Sequence, residues 1–243
     1  MFRIKGQIMK NFKIILLLSS FLLSSAAIAE GEVGITPDLM SITVKHNGKN
    51  IEVKRNQDVG AVVDEDFALT SRACPPFCIQ PSKLAEGVET IAELEVLDYL
   101  KRMNDGDDSI LVVDSRTESW VAKGTIPGSK NIPWVNLNSK HEGTTTEMII
   151  QIMTEEFGVK LKEGKDAFDV DEAIVDGDAS SVFDFSSSKT LVMFCNGMWC
   201  GQSPNNILNL LKFGYPAEKI KWYRGGMQNW SNLGFVTVKE GGK

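Results

Sequence analysis

Histidine is scarce in this chain, with two among 243 residues. Two histidines leave little room for a His-rich metal centre or a Ser-His-Asp triad. Basic residues are outnumbered, with 26 Lys and Arg against 32 Asp and Glu, so the net charge is −6 and nucleic acid is not favoured as a partner. The sequence contains no Cys-x-x-Cys-His, Gly-x-Gly-x-x-Gly or Gly-Lys-Ser/Thr motif, so neither a cofactor nor a metal is expected.

A long hydrophobic run is also lacking. The apolar stretch from Ile14 to Leu23 is too short to span a bilayer, which takes about 20 residues. Four basic residues precede it within the first 13 positions, and Ala27-Ile28-Ala29 follows as a small-residue cleavage site. Residues 1–29 are therefore predicted to be a signal peptide with no stable membrane insertion, and the protein is expected to be periplasmic or secreted. An uncleaved interfacial anchor is the alternative.

Only four cysteines are present, and they fall into two close pairs. Cys74 and Cys78 flank Pro-Pro-Phe, and Cys195 and Cys200 are five positions apart. An exported protein meets an oxidising compartment, so disulfides or redox pairs are expected. Local pairing is one of three possible connectivities, and the sequence does not choose among them. Four thiolates on one zinc ion is a further option, although the usual Cys-x₂-Cys spacing is absent.

Residues 30–87 are interpreted as a small N-terminal β extension followed by the cysteine-containing loop. Two alternating segments, at 42–45 and 51–54, surround Asn47-Gly48, which is a hairpin signal. Three prolines between Cys74 and Pro81 exclude a helix there and favour an extended loop.

Residues 88–240 follow a parallel α/β pattern. Apolar residues at helical spacing from Ile91 to Met103 predict a helix. Continuous apolar runs predict buried strands at 110–113 and 190–194, and a third strand is expected at 220–223. Ser203 as N-cap and Pro204 as first residue predict a helix over 204–213.

An insertion is expected at about 135–188, between the first and second buried strands. A helix is predicted over 146–157, with Met148, Ile149, Ile152, Met153 and Phe157 on one face. The acidic stretch from Glu163 to Asp184 is interpreted as a solvated surface loop.

Cys195 is the strongest candidate for a reactive residue, because it lies where a buried strand gives way to a helix. Ligands of open α/β sheets bind at the carboxyl ends of the strands. Backbone N–H groups of the following loop, together with the helix N-terminus, would favour a thiolate at Cys195. The loop is expected to run through Asn196, Gly197, Met198, Trp199, Cys200, Gly201, Gln202 and Ser203.

Two segments carry a family resemblance. Residues 110–134, Ile-Leu-Val-Val-Asp-Ser-Arg through Gly-Thr-Ile-Pro-Gly-Ser-Lys-Asn-Ile-Pro-Trp, resemble the first half of a rhodanese-like (sulfurtransferase) domain. Residues 191–230, with Leu-Val-Met-Phe-Cys, Gly214-Tyr215 and Trp-Tyr-Arg-Gly-Gly, resemble its second half. The resemblance covers about 88–235. It implies a parallel sheet flanked by helices, and an exported single-domain protein with an extra cysteine pair.

The resemblance also implies chemistry. Cys195 occupies the position that accepts a sulfane sulfur as a persulfide in that family. Asp114 and Arg116 match its Asp-x-Arg, where the arginine either supports the loop or contacts substrate. The loop departs from the family in lacking Arg and Lys. This disfavours phosphoryl transfer and implies weak activity on thiosulfate.

Two functions are therefore carried forward. In the first, the chain is a sulfurtransferase or sulfane-sulfur carrier that uses Cys195, with a small sulfur-containing donor and a thiol acceptor. In the second, Cys195 and Cys200 exchange disulfides together with Cys74 and Cys78, which requires a redox protein partner. A catalytically silent binding domain is a weaker third interpretation, because an intact loop cysteine at a helix N-terminus argues against it.

Overall fold

The computed structural model describes residues 32–239, so the predicted signal peptide lies outside the described residues. The nine strands of that region are β1 (Ser41–His46), β2 (Lys49–Lys54), β3 (Glu89–Ile91), β4 (Ile110–Asp114), β5 (Lys130–Asn131), β6 (Lys160–Leu161), β7 (Phe183–Asp184), β8 (Thr190–Phe194) and β9 (Ile220–Tyr223). Its six α-helices are α1 (Glu93–Asn104), α2 (Glu118–Val121), α3 (Thr146–Gln151), α4 (Ala167–Asp176), α5 (Gln202–Lys212) and α6 (Gly226–Asn232). Within residues 32–239, no helix is long and apolar enough to cross a membrane.

Five parallel strands form the central sheet, in the spatial order β3-β9-β8-β4-β5. The parallel α/β fold predicted from the sequence is confirmed. Side chains of β8 alternate between the faces: Leu191 and Met193 join one core, and Val192 and Phe194 join the other. Because both faces are covered, residues 191–194 of the strand are apolar without a break.

Helices α3, α4 and α5 cover one face of the sheet, and α1 and α6 cover the other. Helix α1 begins two residues later than the pattern predicted, because Ile91 ends strand β3. Leu94, one of the apolar residues of that helical pattern, is 53% exposed, whereas Leu97 and Leu100 are buried. The first turn of the helix lies at the edge of the core, where an apolar residue does not imply burial.

The N-terminal hairpin packs onto the main core. Asn47 and Gly48 form its turn with φ values of 48° and 75°, the left-handed conformation that Asn-Gly favours. Ile42, Val44 and Val53 are buried together with residues of α1 and β4. The extension therefore contributes directly to the core on the α1 face.

The insertion is more structured than the sequence indicated. The predicted helix is present as α3 followed by a π-helical turn, Ile152–Glu156, and Met153 and Phe157 are buried as expected. Interpretation of the acidic stretch as a loop was wrong, because it contains α4 and, at its end, β7, which pairs with β6 just before the stretch. Asp166 caps α4, whose apolar side buries Val170 and Ala173, so the acids lie on the outer face of an amphipathic helix.

Candidate active site

Cys195 lies directly after β8, the middle strand of the five. Helix α5 begins seven positions later, at Gln202. The loop therefore ends at Gly201, and the prediction that Gln202 and Ser203 belong to it was wrong. Gly201 is the N-cap, so Ser203 and Pro204 lie in the first turn of α5. First-turn N–H groups have no partner within the helix, so Pro204 is tolerated there and does not mark the start.

Cys195 is a buried residue, at 3% exposure, and its sulfur is surrounded by hydrogen-bonding groups. The Ser203 hydroxyl donates to it over 3.2 Å, and the Trp222 indole N–H donates to the same hydroxyl over 3.1 Å. Backbone N–H groups of Gly197 and Ser203 also point at the sulfur. When protonated, the thiol itself faces the carbonyl of Cys200 at 3.4 Å.

These contacts determine the acidity of Cys195. Burial raises the pKa of its thiol, but hydrogen bonds outweigh that effect and lower the pKa to about 7. The largest of these hydrogen bonds in effect comes from the Cys200 thiol, followed by the hydroxyl and the N–H of Ser203 and the N–H of Gly197. The site therefore stabilises a thiolate near neutral pH, without a cationic side chain in the loop.

Cys200 is the second thiol of the site, and it is buried as well, at 4% exposure. Burial and the adjacent Cys195 raise its pKa well above the ordinary value. Its thiol faces two acceptors, the Cys195 sulfur and, at 3.9 Å, the side-chain oxygen of Gln202. Both cysteines are free of disulfides, and the pKa values favour the thiolate at Cys195 and the thiol at Cys200.

The start of α6 supports the loop from behind. Met227 N–H donates to the Cys195 carbonyl and Gln228 N–H donates to the Asn196 carbonyl, both over 2.9 Å. Gly226 makes this approach possible, since a Cβ there would overlap the Cys195 carbonyl oxygen. Two carbonyls of the loop are thereby turned toward α6.

Asp114 and Arg116 form a buried ion pair beside the loop, with exposures of 0% and 1%. Two guanidinium nitrogens contact the two carboxylate oxygens, at 2.6 and 2.9 Å. The same guanidinium donates to the Gly124 carbonyl at 2.7 Å and to the Asn196 side chain at 3.4 Å. Its donors are directed at protein groups, which favours a positioning role over substrate contact.

Cys74 and Cys78 form a disulfide, with their Cα atoms 4.6 Å apart. The segment they close, Cys74–Cys78, is called the disulfide loop below. Its Phe77 ring meets Trp199 edge-on, with ring centres 5.6 Å apart. Just after it, the N–H of Gln80 donates to the Met198 carbonyl over 2.8 Å. The guanidinium of Arg224 holds the Gln80 carbonyl at 2.7 Å. The disulfide loop thus lies against the loop that runs from Cys195 to Gly201, called the active-site loop below.

A cavity of about 280 Å³ opens between the two loops. Its lining contains aromatic rings, amides, one thiol and no charged side chain. The lining residues are Pro76, Phe77, Trp120, Trp134, Asn196, Trp199, Cys200, Gly201, Gln202 and Asn205. Cys200 is one of these residues, and Cys195 is not.

Several contributors were not found from sequence. Trp222 and Arg224 act from the end of β9, and Trp120 and Trp134 come from segments after β4. The Trp-Tyr-Arg-Gly-Gly segment was noted, but its contacts depend on β9 lying beside β8. Within the described residues 32–239, no group of three or more His, Cys, Asp or Glu side chains is placed to hold a metal.

The family model of the rhodanese-like domain matches residues 96–233 of the chain. Functionally curated proteins provide no match. Among solved structures, similarity is found to a thiosulfate sulfurtransferase from Pseudomonas aeruginosa, at 15% identity and a TM-score of 0.36, covering 63% of this chain and 20% of that one. A rhodanese-like domain from Anabaena sp. is 15% identical with a TM-score of 0.34, covering 64% and 80%. The As-Sb reductase from Leishmania major is 17% identical with a TM-score of 0.33, covering 61% and 92%.

Proposed function

Because the chain belongs to the rhodanese-like domain family, we propose that it is an exported sulfurtransferase or sulfane-sulfur carrier that holds a persulfide on Cys195. The observation that carries the proposal is the environment of the Cys195 sulfur. One hydroxyl, one thiol and two backbone N–H groups donate to it, and its pKa is lowered to about 7. A thiolate is the nucleophile in attack on a sulfane sulfur, and the same donors would stabilise the resulting persulfide anion.

The cavity supports an organic donor over an inorganic one. Thiosulfate is a small dianion, and it would have to lose water next to aromatic rings and amides with no cation in the lining. An organic thiosulfonate carries a single negative charge and an apolar group that the rings of Trp120, Trp134 and Phe77 can contact. We expect benzenethiosulfonate to transfer sulfur faster than thiosulfate.

The test is sulfur loading of the reduced full chain. Cys195 thiolate attacks the outer sulfur of benzenethiosulfonate, the S–S bond of the persulfide forms, and benzenesulfinate leaves. Peptide mass mapping should find the added sulfur on Cys195. Cys195→Ser should abolish loading, because a serine hydroxyl stays protonated where a thiolate is needed.

A matched control is the Cys74→Ser/Cys78→Ser double variant, which removes the other cysteine pair and keeps the loop cysteines. It should still load sulfur at Cys195. Loading that persists in Cys195→Ser contradicts the assignment of Cys195. Faster loading from thiosulfate than from benzenethiosulfonate contradicts the donor class and leaves the role of Cys195 standing.

The alternative function is thiol-disulfide exchange by Cys195 and Cys200, acting with Cys74 and Cys78. Adjacency of the two buried thiols and of the disulfide loop supports it. This alternative predicts rapid reduction of a test disulfide by the reduced chain with no sulfur loading by benzenethiosulfonate. Such a result would replace sulfur transfer with redox exchange as the function.

A further inference from the structure

Cys200 occupies a position that a sulfur carrier alone does not require. The Cys200 thiol faces the Cys195 sulfur and also the side-chain oxygen of Gln202. A carrier needs a stable persulfide. A thiol beside the inner sulfur of that persulfide can attack it and displace the outer sulfur. The arrangement resembles a nucleophile placed next to its target, because the sulfur that Cys200 faces becomes the inner sulfur once Cys195 is loaded.

We propose that Cys200 attacks the Cys195 persulfide and releases its outer sulfur as hydrosulfide, so that the chain reduces sulfane sulfur as well as accepting it. The proposal rests on the Cys195 persulfide proposed above. It adds a second catalytic residue, and it changes the product from a transferred sulfur atom to sulfide.

The step balances without an outside reagent. The bond between the inner and outer sulfurs of the persulfide breaks, and a bond between the Cys195 and Cys200 sulfurs forms. The proton of the Cys200 thiol goes to the departing sulfur, so one persulfide anion and one thiol give one disulfide and one hydrosulfide ion. The sulfane sulfur gains two electrons, and the two cysteine sulfurs together lose two.

Geometry favours this intramolecular step over transfer to an outside thiol. Cys200 belongs to the turn that surrounds the Cys195 sulfur, which lies 3.4 Å from the Cys200 carbonyl oxygen, so no second molecule has to be brought into place. Gly197 and Gly201 flank the segment that carries Cys200, and the Cys200 N–H closes a turn onto the Gly197 carbonyl. Backbone freedom at the glycines allows the small approach that a disulfide needs.

The cavity indicates which sulfur of the Cys195–Cys200 disulfide is attacked when the protein is reduced again. Regeneration needs a dithiol reductant, either a small molecule or a protein with two neighbouring thiols. Cys200 borders the cavity and Cys195 does not, so the attacking thiolate would meet the Cys200 sulfur. Cys195 would then leave as the thiolate that its surroundings stabilise, and a good leaving thiolate speeds exchange. The second thiol of the reductant frees Cys200 and completes its own disulfide.

The test follows sulfide and mass in the same reaction. Reduced full-length protein, freed of small thiols and kept without oxygen, is mixed with benzenethiosulfonate. We expect the wild type to release a single equivalent of sulfide and to end two hydrogen atoms lighter, with Cys195 joined to Cys200. Cys200→Ser should release no sulfide and should retain one added sulfur atom on Cys195, which also shows that its site is folded.

The Cys74→Ser/Cys78→Ser double variant tests whether the other cysteine pair supplies the electrons. It loses the crosslink of the loop that carries Pro76 and Phe77 in the cavity wall, so its rate of release is not compared, but the amount of sulfide should still reach a single equivalent. A wild type that keeps its added sulfur without releasing sulfide would overturn this inference and leave the carrier function intact. Equal sulfide release by Cys200→Ser would overturn it as well, since another thiol would then supply the electrons. Loading of neither protein would contradict the Cys195 persulfide itself, and this step with it.

Discussion

The hydroxyl of Ser203 shows how a single buried residue sets the reactivity of its neighbour. It receives a hydrogen bond from Trp222 on β9 and passes one to the Cys195 sulfur. With a lone pair engaged by the indole, the hydroxyl proton is directed at the sulfur. A charge on Cys195 is stabilised by this chain of two hydrogen bonds without any cationic side chain.

Removal of that hydroxyl should raise the pKa of Cys195. At a pH below the pKa, a thiol whose pKa is higher by about 1 has a roughly tenfold smaller thiolate fraction, so Ser203→Ala should slow alkylation of Cys195 several-fold at pH ~6. In the wild type the alkylation rate should rise with pH and level off above a pKa of about 7, and in the variant the midpoint should lie higher. Timed alkylation with mass detection across pH measures both midpoints.

Ser188→Ala is the matched control for this prediction. Ser188 is also buried, and its hydroxyl donates to the Phe185 carbonyl at 2.7 Å, away from the site. Each variant loses the hydrogen bonds of one buried hydroxyl, each worth roughly 1 kcal/mol, but only Ser203→Ala should move the midpoint. An unchanged midpoint in Ser203→Ala would show that the backbone donors suffice.

At the level of residues, the sequence predicts the position of Cys195 and fails to predict its surroundings. Cys195 follows a strand that is recognisable from its apolar run, so its placement needs only local information. The contact between Ser203 and Trp222 joins residues 19 positions apart on α5 and β9. Sequence spacing assigned Ser203 to a helix cap, because Ser before Pro has that meaning in isolation.

Among the elements, the start of α6 matters most for the site. Its first N–H groups bind the carbonyls of Cys195 and Asn196, and Gly226 has a φ of 55° at the point of closest approach. Gly226→Ala would make a methyl group overlap the Cys195 carbonyl oxygen and would place it 2.9 Å from the Gly197 nitrogen. The loop or the helix would have to move, and both hydrogen bonds would weaken.

We expect Gly226→Ala to lower the free energy of unfolding by roughly 2–4 kcal/mol, from backbone strain plus overlap with the loop. Gly177→Ala is the control, because Gly177 has a φ of 86° at the end of α4 with open space around its Cα. The control should lose about 1 kcal/mol, from the backbone conformation alone. Denaturant unfolding gives the free energy of unfolding of both variants. Equal losses would mean that the loop moves aside for the added methyl group at no cost.

Prediction of elements from sequence succeeded where the pattern was strong and local. Strands β4 and β8 were predicted within a residue of their ends, since uninterrupted apolar runs have few other interpretations. Helix α4 was missed because acids stand between its apolar residues, and the stretch was interpreted from its charge. The start of α5 was misplaced because a first-turn proline is compatible with more than one starting residue.

For the molecule as a whole, export remains a prediction from residues outside 32–239. Protein recovered from the cell envelope should have an intact mass that begins at Glu30, because cleavage is expected after Ala29. Ala29→Leu should accumulate uncleaved, since the cleavage site requires a small residue. Full-length wild-type protein confined to the cytoplasm would contradict export.

The disulfide loop lies before residue 96, where the family match begins, and yet Pro76 and Phe77 form part of the wall of the cavity beside Cys200. A homologue could exchange this leading segment and keep the reactive sulfur with all its hydrogen bonds. Selectivity and reactivity would then evolve in separate stretches of the gene. Recombination upstream of the family domain could change what the cavity binds while the surroundings of Cys195 stay the same.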